Sequence, residues 1–73
     1  MAERFSQEWL ETLAKDSLKV ATDQYQREEG CDLDTALYAF YQGWLQVVFE
    51  YAGHEYVLLP FRDQSGYLLG RLE

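Results

Sequence analysis

The sequence predicts an α+β domain, with two N-terminal helices packed on one face of a small antiparallel sheet in the order α-α-β-β-β. Three observations carry that reading. Residues 6–29 place apolar side chains at helical spacing, and residues 32–43 form a second, more apolar helical run. From Trp44 the apolar period falls to two, and two turn signals divide the remainder into three strand-like runs.

The first helix has a start, a stop and an informative face. Ser6 is a good N-cap, because its hydroxyl can accept from a free N–H of the first turn. Phe5 before the cap and Leu10 after it have hydrophobic-staple spacing. Glu8 and Glu11 suit the positive end of the helix dipole. Gly30 follows the last turn, where glycine readily takes a left-handed conformation. Glu11 with Lys15, and Asp23 with Arg27, are expected ion pairs across one turn. Phe5, Trp9, Leu13 and Val20 form one apolar stripe, and Leu10, Ala14, Leu18, Ala21 and Tyr25 form a second. Together they span an arc of about 220°, against roughly 100° for an ordinary surface helix. Such a helix is expected to pack on two neighbours, this chain's own sheet and another protein surface. The plainer alternative is that helix 2 and the sheet bury both stripes within the monomer.

Asp32 or Asp34 can cap the second helix, and Gly43 is expected to end it. Residues 36–41, Ala-Leu-Tyr-Ala-Phe-Tyr, are apolar or aromatic all round, so burial on most sides is expected. After Trp44, Leu45, Val47, Phe49 and Tyr51 alternate with Gln46, Val48 and Glu50, the pattern of a half-buried strand. Ala52-Gly53 reads as a tight turn, and residues 54–59 as a second strand stopped by Pro60. Residues 62–66 form a turn cluster, and residues 67–72 a third strand. One rival stays open: Leu33, Leu37, Phe40, Trp44, Val48 and Tyr51 also keep helical spacing. Helix 2 would then run to Tyr51 with Gly53 as its cap, leaving a two-stranded hairpin.

Composition narrows the function classes. The chain has 73 residues, enough for a single domain over residues 1–73. Its formal net charge of −7, without a basic patch, argues against direct binding to a phosphate backbone. No stretch has the roughly 18–20 apolar residues that span a bilayer, so no membrane association is expected. Residues 1–5 lead straight into polar helical sequence, so no secretory signal is expected. Cys31 is the only cysteine, which suits a reducing compartment, and a cytoplasmic location follows as the expectation.

Catalytic and cofactor chemistry finds little support. His54 and Cys31 are one histidine and one cysteine, too few for a Cys/His zinc site. As a nucleophile and base they would lack an oxyanion hole, and Asp32 and Asp34 would disfavour the thiolate. The pairs Glu28-Glu29 and Asp32-Asp34 read as a solvated face and a capped helix start. Asp32-Leu33-Asp34 matches only the start of a calcium loop. No catalytic residue, cofactor or metal is therefore expected.

The aromatic content points elsewhere. Twelve aromatic side chains among 73 residues are more than so small an interior readily hides. Tyrosine and tryptophan are enriched at interface hot spots. The expected function is a non-enzymatic protein–protein interaction module, an adaptor or regulator that forms a homodimer. Phe5, Trp9, Leu13, Val20, Tyr38, Tyr41 and Trp44 are the candidate interface residues. The alternative is an acidic inhibitor that imitates nucleic acid, of the kind used by phages and mobile elements. Nine of the 13 acids lie in the first 34 residues, although Lys15, Lys19 and Arg27 interrupt them.

Overall fold

A computed structural model describes residues 7–72. Helix α1 spans Gln7–Glu29 and α2 spans Leu33–Tyr41. Strands β1 (Val48–Tyr51), β2 (His54–Pro60) and β3 (Tyr67–Leu72) follow as an antiparallel meander in the order β1-β2-β3. The α+β expectation holds, with α1 contacting β1. The long-helix alternative does not form. Phe5 and Ser6, the proposed staple and cap, lie outside the described residues.

Local chemistry sets the element ends. Gly30, at φ +66°, donates to the Gln26 carbonyl at 2.8 Å and closes α1. Asp32 caps α2, its Oδ1 accepting from the Thr35 N–H at 2.9 Å. Helix α2 stops at Tyr41, two residues short of the expected Gly43. The N–H groups of Trp44 and Leu45 both donate to the Ala39 carbonyl, at 2.9 and 3.2 Å. These donors satisfy the helix end rather than a strand ladder, so β1 starts at Val48 and not at Trp44. Strand pairing nevertheless reaches one residue further back, where the Leu58 N–H donates to the Val47 carbonyl at 3.0 Å.

The ion pairs on α1 differ from expectation. Lys19 Nζ lies 3.6 Å from Asp23 Oδ2, and Glu11 accepts from Gln7 Nε2 at 3.3 Å. Both sites are exposed, where such contacts contribute little.

The core sits between the helices and one face of the sheet. Ala14 of α1, Phe40 of α2, Val47 just before β1 and Leu58 of β2 form its buried centre, flanked by Leu18, Phe49, Tyr67 and Leu69. Ala36 and Ala39 are also buried, and their small side chains let α2 approach closely. The Phe40 ring meets Tyr67 edge-on at 6.2 Å, which ties α2 to β3. Phe49 and Tyr56 stack across β1 and β2 at 5.5 Å. Thr22 is buried, and its hydroxyl donates within α1, with the Leu18 and Lys19 carbonyls at 2.9 and 3.0 Å.

Pro60 ends β2 opposite Tyr67 without loss. In an antiparallel ladder, alternate N–H groups point to opposite neighbours. The Leu58 N–H points to the β1 side, so the donor missing at Pro60 would point the same way, past the start of β1.

Candidate protein-interaction surface

The helix and sheet order decides which apolar side chains are covered. Of the two stripes on α1, the Leu10 and Ala14 stripe is buried, with Leu18 and Ala21 against the core. The other stripe stays largely open. Trp9 is 54% exposed and Val20 64%, while Leu13 is half-buried. Leu13 and Val20 line a shallow groove whose opposite wall is Gln46, Val47 and Val48.

The remaining candidate residues fall into two groups. Tyr38 and Trp44 are exposed and meet edge-on at 5.7 Å, forming an aromatic pair at the end of α2. Tyr41 is half-buried, against Phe40 at 5.1 Å, and packs on the core. Burial raises the Tyr67 hydroxyl above its usual pKa, helped by nearby Tyr41 and Glu11. Phe5 lies outside the described residues.

A second apolar surface does not follow from helix periodicity. Strand register places Val47, Phe49, Tyr56, Leu58, Tyr67 and Leu69 toward the helices. The alternate positions face away: Val48 and Glu50 on β1, Glu55, Val57 and Leu59 on β2, and Leu68, Gly70 and Leu72 on β3. A sheet with helices on one face usually shows polar side chains on the other. Here only the two glutamates are polar. Leu68 is 58% exposed and Leu59 47%, with Val48 and Leu72 also open.

The two glutamates stand directly opposite each other. The Val47–Leu58 hydrogen bond makes Glu50 and Glu55 a non-hydrogen-bonded pair, the closer of the two pairing geometries. Like charges so placed destabilise a sheet. They mark the hairpin end of an otherwise aliphatic face.

The expected turn and cap acids serve local structure. Hydrogen bonding from Thr35, through its side chain and then its N–H, holds Asp32 below the usual carboxylate range. Ser65 acts likewise on Asp63, whose Oδ1 accepts from the Ser65 Oγ at 2.6 Å and N–H at 3.0 Å. Cys31 is a half-buried free thiol between the helices, and His54 opens β2. No group of three or more His, Cys, Asp or Glu side chains is placed to hold a metal ion among the described residues. Nor is any described helix long and apolar enough to cross a membrane. No family model, curated protein or solved structure matches the chain.

Proposed function

We propose that this chain is a non-enzymatic protein–protein interaction module, an adaptor or regulator that works as a homodimer in the cytoplasm. One observation carries the reading: the fold leaves large aliphatic and aromatic side chains uncovered on α1, at the end of α2 and across the outer sheet face. Contiguous exposed apolar surface of this kind marks interaction sites. The free thiol of Cys31 suits a reducing compartment.

The nucleic-acid-mimic alternative draws less support. Lys15 and Lys19 lie among the carboxylates of α1, and Lys19 pairs with Asp23, which breaks the negative track. Sedimentation equilibrium across a concentration series, at low and high salt, tests the proposal. A dimer that persists at high salt is expected, because apolar burial is not screened. A monomer at every concentration would remove the homodimer from the proposal.

A further inference from the structure

We propose that an extended segment of another protein pairs antiparallel with the free edge of β1, its inward side chains entering the groove between β1 and α1. This rests on the interaction-module reading above, whose partner chemistry it names, and it does not require the homodimer.

The first ground is the backbone of the edge. β1 is an outer strand of the sheet. The Leu58 N–H donates to the Val47 carbonyl, so Val47, Phe49 and Tyr51 turn their backbone groups toward β2. Val48 and Glu50 turn theirs the other way. Their N–H and C=O groups line the open side, and no hydrogen bond to them forms among the described residues. An extended backbone is the partner that matches such a row, with donors and acceptors at the strand repeat. Edges that avoid partners carry proline, lysine or a bulge. β1 has none of these, and its one charge is Glu50.

The second ground is the wall beside that edge. The groove has Leu13 and Val20 of α1 on one side and Val47 and Val48 on the other. A strand added about 4.8 Å outside β1 occupies it and points every second side chain at Leu13 and Val20. The edge thus accounts for the α1 stripe that the chain's own sheet leaves open. The opposite edge differs: β3 faces Gln7, Glu11 and Lys15 of α1, which offer an apolar segment little.

Charge then selects the occupant. Among the described residues, Asp16 is the one charged side chain lining the groove, and Glu50 stands further along the edge. Both are acidic, so the segment that fits is apolar at its inward positions and basic at its ends. A second copy fits worse. Pairing β1 with β1 would gather Glu50 and Glu55 of both copies on one sheet face.

Peptides of about eight residues test this, with threonine alternating with valine, leucine, isoleucine or phenylalanine and a lysine at each end. They are titrated into the isotope-labelled full chain and followed by NMR. At least one is expected to bind with a Kd below about 1 mM. It should shift the amides of Val20, Val48 and Glu50 and leave Leu68 unmoved. N-methylation of that peptide then separates edge pairing from loose apolar contact, on the unaltered protein. In the antiparallel arrangement the threonine N–H groups face β1 and those of the apolar residues face away. Methylating the threonine amides should weaken binding at least about tenfold, and methylating the others should change it little. Val48→Pro removes an outward N–H while sparing the β1–β2 ladder, and should also weaken binding at least about tenfold. Far-UV circular dichroism confirms that this variant folds. Val20→Ser should weaken binding roughly fivefold and Leu68→Ser should not. Asp16→Asn should cost roughly two- to fivefold. No peptide binding, shifts gathered on β3 or the outer sheet face, or threonine methylation without effect overturns the assigned edge. Each leaves self-association to the sedimentation test above. Loss confined to methylation of the apolar residues overturns the antiparallel direction. A homodimer that dissociates as peptide binds assigns the edge to a second copy and overturns the partner named here.

Discussion

The β1–β2 hairpin holds Glu50 and Glu55 in place through a two-residue turn whose residues both have positive φ, Ala52 at +54° and Gly53 at +79°. That is the signature of a type I′ turn, which favours asparagine followed by glycine. Alanine is a poor occupant, because its Cβ crowds the backbone in the left-handed region at roughly 1–2 kcal/mol. Replacing Ala52 with asparagine should recover about 0.5–1 kcal/mol, since asparagine tolerates that region through local hydrogen bonding. For a domain of this size the gain corresponds to a Tm rise of roughly 2–8 °C. Ala52→Gly should fall between the two, because relief of strain is offset by a looser unfolded chain. Gly53→Ala should destabilise by about 1–2 kcal/mol. Nothing lies within 4 Å of a Cβ at Gly53, so backbone strain is the sole cause. Thermal unfolding followed by circular dichroism reads all three, at a low protein concentration so that self-association does not add to Tm. An Ala52→Asn variant no more stable than wild type, together with a harmless Gly53→Ala, would refute the turn assignment.

Three further outcomes follow from the packing and the charges. Phe40→Ala empties the centre of the core and should cost about 3–5 kcal/mol. That is comparable to the whole stability of a core this small, so urea titration should find the variant largely unfolded. Glu55→Thr should stabilise the monomer by about 0.2–1 kcal/mol in the same assay, by removing the repulsion with Glu50. In a pH series, Asp32 and Asp63 have lowered pKa values, so their contribution is full above the usual carboxylate value of 3.8 and is lost as pH falls below it. Tyr67 is raised, so its contribution is full below 10 and is lost as pH rises beyond that. Tyr67→Phe should flatten the alkaline arm only.

The sequence carried most of the fold and little of the surface. Helix α1 was legible because Gly30 and the periodic apolar positions act locally, and the Asp32 cap was legible for the same reason. The start of β1 was not, because capture of the Trp44 and Leu45 N–H groups by the Ala39 carbonyl leaves no trace in hydrophobic alternation. The outer sheet face was hidden differently. Helix periodicity drew attention to Trp9 and Val20, whereas Leu59 and Leu68 read as ordinary strand residues. Their signal lies in the unbroken apolar runs, Tyr56 to Leu59 and Leu68-Leu69, which imply strands covered on both faces. One helical layer covers only one face, and register was needed to say which residues lay on the other.

Methyl and amide NMR spectra recorded from dilute to concentrated protein test the proposed interface most directly. Concentration-dependent shifts confined to exposed apolar residues such as Trp9, Val20, Trp44, Leu59 and Leu68, with Ala14 and Ala39 unmoved, are the expected result. Spectra independent of concentration would contradict it.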